Sequence, residues 1–323
     1  MRRKIAIIFL FVLLMIFFTG CESGSLSLKD DMGLLSIRNK KEYEELLNTN
    51  YNKESIFFRN KDTATDYFEE PTANEDYTTT NVQVEGVDEI DVVKTNGDYI
   101  YYVSQSAFKV VKVLASGEIE NIYTESINKQ SIGLYITNKY IVVIENTFTT
   151  ENSVTIDIYD INTIEKVKKI EIGGFYSQSR LYKDNLYIIS YKNYHGGLPW
   201  YNDKEKEVMS YQDIKYLEGT LYNTFSTITT IKLNDDIQTS YDTLLASHWD
   251  VIYVNTNGIY FVTSTYMEEW VVPYLSIANK QVSKIINYMF NEDGDVVYGG
   301  VGEFNGYVLN QFAIDEYDGY LRI

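Results

Sequence analysis

Four copies of one local pattern, a polar turn followed by a strand rich in Tyr and Ile, predict an all-β chain. The copies are Thr95-Asn96-Gly97-Asp98-Tyr99-Ile100-Tyr101, Thr137-Asn138-Lys139-Tyr140-Ile141-Val142, Lys183-Asp184-Asn185-Leu186-Tyr187-Ile188 and Thr256-Asn257-Gly258-Ile259-Tyr260-Phe261. Their aligned Asn96, Asn138, Asp184 and Asn257 are 42, 46 and 73 residues apart. The first two spacings match the roughly 40–45 residues of a four-stranded propeller blade. The fold class is therefore an incomplete β-propeller of roughly five four-stranded blades, with a short helical and linker segment before it. A β-sandwich also produces regular short strands, but the sustained period favours the propeller. Composition agrees: 45% of residues are apolar and 15% aromatic, which excludes a disordered chain.

The chain opens with an address. Arg2, Arg3 and Lys4 precede an unbroken apolar run from Ile5 to Phe18, followed by Thr19, Gly20 and Cys21. This is the order of an export signal. The run is shorter than the about 20 residues a membrane-crossing helix needs. Phe18-Thr19-Gly20-Cys21 resembles the bacterial lipobox, in which the cysteine is diacylated and becomes the first mature residue. Residues 1–20 read as a lipoprotein signal peptide, and Cys21 as the lipid-modified residue on an extracytoplasmic, membrane-anchored chain. Diacylation satisfies the two-chain rule for stable anchoring. It also accounts for the single cysteine of the sequence, which excludes an internal disulfide, a thiolate metal cluster or a CxxC pair.

The charge excludes another class. Lys and Arg number 28 and Asp and Glu 46, so the net charge is −18. Loss of residues 1–20 removes three basic and no acidic residues and leaves −21. Nucleic acid binding needs basic patches that neutralise phosphates, so no nucleic acid partner is expected.

Residues 21–80 form the second segment. Glu22 to Asp31 is small and polar, a tether. Residues 36–48 read as a short helix, with Asn39 as its cap and Tyr43, Leu46 and Leu47 on one stripe. A helix this short is marginal alone and must dock. From Asp62 to Asp91 there are ten acidic residues and no Lys or Arg. The stretch reads as a solvated linker or, alternatively, as a cation-binding strip.

Residues 81–323 are the propeller segment. Each polar turn suits a tight hairpin, and the run before it, such as Leu134-Tyr135-Ile136, supplies the partner strand. The long third spacing is assigned to an inserted loop at about residues 195–219, where Gly196-Gly197 and Pro199 break the pattern and Lys204, Glu205, Lys206 and Glu207 are charged.

The segment Thr80-Asn81-Val82-Gln83-Val84-Glu85-Gly86-Val87-Asp88-Glu89-Ile90-Asp91-Val92-Val93-Lys94-Thr95-Asn96-Gly97 resembles the opening signature of a known family. The family is the bacterial and archaeal secreted proteins with a C-terminal β-propeller domain distantly related to WD-40 repeats. Asn310-Gln311-Phe312-Ala313-Ile314-Asp315-Glu316-Tyr317-Asp318-Gly319-Tyr320-Leu321-Arg322-Ile323 resembles its second signature. The resemblance runs from about Thr80 to the end and implies the fold but no biochemical activity. In similar proteins the second signature opens another blade and the propeller continues, so the resemblance implies a truncated member.

Candidate chemistry is sparse. Asp88-Glu89-Ile90-Asp91 and Asn291-Glu292-Asp293-Gly294-Asp295 carry oxygen ligands of the kind Ca²⁺ takes. The first also reads as an acidic turn, and the second as a hairpin turn, since Val296 stands where an EF-hand needs Gly. No catalytic residue is assigned, no cofactor is expected beyond a possible Ca²⁺, and no metal ligand is committed. His195 and His248 read as loop or packed residues. The insert carries aromatic residues, and Trp200, Tyr201 and Tyr194 are the candidate ligand-binding rings. The function these features point to is a non-enzymatic binding module for an envelope protein or polysaccharide. The alternative is a hydrolase or lyase acting on envelope carbohydrate through Asp and Glu.

Overall fold

The computed structural model describes residues 34–57, 82–217, 220, 222–272 and 276–323. The signal-like segment, Cys21, the tether and the acidic stretch up to residue 81 lie outside the described residues. The described chain enters as β1 (Leu35–Ser36) and α1 (Lys40–Phe57) and resumes as β2 (Val87–Glu89). It then winds four sheets in succession, antiparallel except for one pairing in the third. The first holds β3 (Val93–Thr95), β4 (Tyr99–Val103), β5 (Ala107–Val113) and β6 (Ile119–Ser126). The second holds β7 (Gln130–Ile136), β8 (Tyr140–Thr147), β9 (Ser153–Asp160) and β10 (Lys166–Gly173).

The third sheet begins with β11 (Phe175–Tyr182) and β12 (Asn185–Asn193). It is interrupted by β13 (Trp200–Asn202), β14 (Lys206–Val208) and β15 (Ile214–Tyr216), and then resumes with β16 (Thr224–Lys232) and β17 (Gln238–Ala246). The fourth is β18 (Val251–Val254), β19 (Gly258–Val272), β20 (Ser276–Phe290) and β21 (Val296–Asn305). A hairpin of β22 (Asp315–Tyr317) and β23 (Tyr320–Arg322) follows. Four full blades and this hairpin stand where the sequence predicts roughly five.

Three of the four repeated turns close by one mechanism. Asn96, Thr137 and Asn255 each accept a hydrogen bond, through a side-chain oxygen, from the amide three residues on: Tyr99 at 2.9 Å, Tyr140 at 2.9 Å and Gly258 at 3.0 Å. The structural register is thus one residue earlier than Asn138 and two earlier than Asn257. These short side chains satisfy the orphan amide that a tight reversal would otherwise bury. The third copy turns on Lys183-Asp184, with Lys183 left-handed at φ 55°.

Apolar clusters fill the spaces between successive sheets. Phe108, Val110 and Tyr159 join the first pair, Ile144, Ile156 and Ile188 the second, and Ile228, Phe261 and Ile286 the third. α1 is capped as the sequence predicts, with Asn39 Oδ1 accepting from the Glu42 amide at 3.1 Å, but it begins at Lys40 rather than residue 36, because Leu35–Ser36 pairs as a strand with β15. It runs to Phe57, beyond the expected residue 48, and Tyr43, Leu46 and Leu47 dock it on a core of Ile37, Ile214, Phe225 and Leu245.

Candidate functional site

The opening signature is a strut across the blades. Val84 packs beside residues of the fourth sheet. β2 pairs with β11, so Val87, Asp88 and Glu89 lie opposite Tyr182, Leu181 and Arg180. Asp91 then bridges to Leu134 of β7, with Leu134 N donating to Asp91 O at 2.7 Å. Gly133 permits this approach, since a Cβ there would lie 2.7 Å from the Asp91 carbonyl oxygen.

The acidic residues of the strut are spent inside the protein. Lys94 Nζ donates to Asp88 Oδ1 at 2.7 Å and to the Glu89 carbonyl at 2.8 Å. Arg180 lies 3.2 Å from Glu89 Oε1, and Asp91 Oδ1 accepts from the amide of Val92 at 2.6 Å. Nearby, Ser179 Oγ shares hydrogen bonds with Tyr135 and Tyr176, whose hydroxyl pKa values burial raises, that of Tyr176 to about 12. Asp88-Glu89-Ile90-Asp91 is thus an ion-paired clasp that ties blades together. Asn291–Asp295 forms the tight turn between β20 and β21, with Gly294 at φ 81° and Asp295 paired to Lys232 at 2.8 Å. Among the described residues no group of three or more His, Cys, Asp or Glu side chains converges as metal ligands would.

The insert is built structure rather than a projecting loop. After a short 3₁₀ turn at Tyr194–Gly196, β13 and β14 form a hairpin that extends the second sheet beyond β10. β15 pairs in parallel with β17 and is covered by β1. One excursion therefore caps the outer edges of two blades, which removes two rows of unpaired backbone groups. Trp200 is buried, lying against Gly173 with Lys206 Nζ 4.3 Å from its ring centroid. Tyr201 stacks on Tyr241 at 3.9 Å and donates to Glu207 at 2.9 Å. The Tyr194 ring lies 3.8 Å from that of His195, tilted by 34°. Tyr194 and Tyr201 both pack against the cluster of Met209, Ile214, Phe225 and Leu245 under the insert.

A different set of rings does line up. Phe148, in the turn after β8, stands 6.1 Å from Phe175 at the start of β11. Phe175 stacks on Tyr191 of β12 at 5.5 Å and 29°. Tyr191 meets the edge of His248, in the connection to the fourth sheet, at 5.8 Å. Phe148 and His248 are exposed and the two inner rings half-buried. The row crosses the second, third and fourth blades at the end of the molecule from which the insert departs. His248, which the sequence suggests is a loop or packed residue, is the exposed end of this row. Phe148 and Phe175 carried no local signal, because their contacts are made only by the arrangement of blades.

Comparison with known proteins follows this architecture. The family model described as "Beta propeller domain" matches residues 77–323. The chain is 25% identical over 410 aligned residues to an uncharacterized protein of Methanocaldococcus jannaschii, covering 100% of this chain and 64% of that one. It is 24% identical over 332 aligned residues to an uncharacterized protein of Archaeoglobus fulgidus, covering 78% of this chain and 53% of that one. The chain thus spans less than two thirds of the length of these curated relatives. Among solved structures, a KlHsv2 variant with loop 6CD replaced by a Gly-Ser linker matches 65% of this chain and 84% of its own, at 9% identity and a TM-score of 0.27.

Proposed function

Because this chain belongs to the beta propeller domain family, we propose that it is a binding module that holds a protein or polysaccharide of the cell envelope against its aromatic face. The observation that carries this reading is the Phe148–Phe175–Tyr191–His248 row. Half-exposed rings fixed by their neighbours offer large contact area at little entropic cost. Such rings stack on sugar faces or anchor partner side chains. The sheets beneath them are packed and ion-paired, so the rings are presented by a rigid base.

The address supports the same reading. The Arg2-Arg3-Lys4 start, the apolar run and Cys21 fit export and diacylation, which would tether the propeller outside the cytoplasmic membrane. The charge of −21 left after loss of residues 1–20 would keep the body standing off an anionic surface.

The test is retention of envelope material by the full chain and by a Phe148→Ala/Tyr191→Ala variant. At about 1 kcal/mol per ring, the variant should lose roughly tenfold or more in affinity. Equal retention by both proteins would overturn the assignment of this face. The tether is tested by feeding cells a clickable fatty acid: label should enter the wild type and be absent from Cys21→Ala.

A further inference from the structure

The junctions between blades repeat a contact that one of them lacks. Between the second and third blades, Tyr140 donates its hydroxyl proton to the Asn234 carbonyl at 3.0 Å. Between the third and fourth, Tyr187 donates to the Gly294 carbonyl at 2.9 Å. Between the fourth blade and the following hairpin, Tyr260 donates to Glu316 at 2.8 Å. In each case a phenol from the second strand of one blade, or from the turn that leads into it, latches onto the next.

Tyr101 occupies the position of Tyr187 and Tyr260 in the first blade, but its latch is missing. Its hydroxyl oxygen accepts from Asn96 of its own turn at 3.1 Å. Among the described residues nothing receives its proton, although Tyr101 is only 1% exposed. Where the latch would lie there is a cleft of about 480 Å³, bounded by Tyr101, Asn96, Ile136, Asn138, Asn162 and Ile164 among others. That volume is in the range of small-ligand sites, which pair apolar walls with a few polar groups. No charged side chain lines it, although the whole chain carries −18.

The far wall carries strain. Ile164 has φ 57°, a left-handed conformation that a β-branched residue avoids. The turn enforces it: Asp160 Oδ1 accepts from the amides of Asn162 and Thr163, both at 2.9 Å, and the Ile164 amide donates to Asp160 O at 2.9 Å. Strained residues held by their surroundings in this way cluster at ligand clamps and other functional sites.

We propose that this cleft between the first and second blades binds the uncharged tyrosine side chain of a partner peptide, whose phenol completes the missing latch. Its oxygen accepts the Tyr101 hydroxyl proton, its own proton goes to the turn at Ile161–Glu165, and its ring lies between the isoleucine walls. The sister junctions argue for this occupant: there the facing element accepts a tyrosine hydroxyl, through the Asn234 carbonyl, the Gly294 carbonyl or the Glu316 carboxylate, and a phenol seated in this cleft would offer the facing turn at Ile161–Glu165 the same group. The absence of charge in the lining argues against ionic ligands.

The full chain should be titrated with N-acetyl-L-tyrosinamide and, separately, with N-acetyl-L-phenylalaninamide, binding being followed by saturation-transfer NMR. Wild type should bind the tyrosine amide about fivefold more tightly than the phenylalanine amide, the difference of one buried hydrogen bond. Tyr101→Phe should erase that preference. Asn138→Trp, at an exposed position on the rim, should block both ligands while keeping the wild-type circular dichroism spectrum. Equal affinity for the two amides in wild type, undiminished binding in Asn138→Trp, or no binding at millimolar ligand would overturn the proposal. If Asn138→Trp loses its fold, the Tyr101→Phe comparison alone decides.

Discussion

Lys94 reaches back six residues to place its ammonium 2.7 Å from Asp88 Oδ1, and it does so with only 7% of its side chain exposed. The pair closes the strut that crosses from the third blade to the first. It lies 5.9 Å from the Tyr135 ring centroid, so the second blade shares the contact. Removing one partner of a buried pair strands the other charge and costs more than the pair itself contributes. Lys94→Met is therefore expected to destabilise the protein by about 2–3 kcal/mol, below the full buried-pair cost because Asp88 is one-third exposed. Urea unfolding measures it, and Lys94→Met/Asp88→Asn should recover part of the loss.

Acid should weaken the junction of the first and second blades. Burial pushes the Glu125 carboxyl up, but hydrogen bonds from Tyr159 at 2.7 Å, Lys166 at 3.0 Å and Tyr123 at 2.8 Å outweigh it and leave the pKa below the ordinary 4.5. A carboxylate with a depressed folded pKa stabilises the protein fully above its unfolded pKa, and that contribution is lost as pH falls through the folded value. The melting temperature of wild type should thus fall more steeply below pH 4.5 than that of Glu125→Gln. Parallel curves would show that Glu125 contributes nothing to the acid limb.

These two clusters show where the sequence stops being informative. The turn residues, the strand period, the Asn39 cap and the Tyr43, Leu46 and Leu47 stripe are local features, and local chemistry makes them readable. The clasp was visible only as an acidic run, since nothing in Asp88-Glu89 announces that Lys94 and Arg180 converge on it. The hairpin at Trp200–Asn202 and Lys206–Val208 escaped notice because Asn202, Asp203, Lys204 and Glu205 favour no strand. Its stability comes from the edge of β10, a partner some thirty residues away. The aromatic row draws on Phe148, Phe175, Tyr191 and His248, which only blade packing brings together.

Because the insert is part of two sheets, its excision is a test of folding rather than of binding. Removing residues 195–219 would delete β13, β14 and β15. It would also uncover Phe225 and Leu245, both 0% exposed. Two large side chains brought into water cost about 2 kcal/mol each, before the lost strand pairing is counted. The deletion should lower the melting temperature by 10 °C or more on the scale of about 2–4 °C per kcal/mol for a protein of this size. Unaltered melting would show that the excursion is an accessory after all.

The equivalent tyrosines of successive blades should respond differently to loss of one oxygen. Tyr187 is 1% exposed, and its ring stacks on Phe290 at 4.2 Å while its hydroxyl holds the Gly294 carbonyl. Tyr187→Phe keeps the ring and strands that carbonyl, at a cost of about 1–2 kcal/mol. Tyr260→Phe removes a bond to a carboxylate and should cost at least as much. Tyr101→Phe removes only an acceptor for the half-exposed Asn96 turn, and it also removes a buried donor that has no partner. Its cost should stay below about 0.5 kcal/mol. Chemical denaturation of the three single variants gives the ranking directly. A Tyr101→Phe penalty as large as that of Tyr187→Phe would mean that the first junction is latched like the others, and that the cleft beside it is not left open by a missing bond.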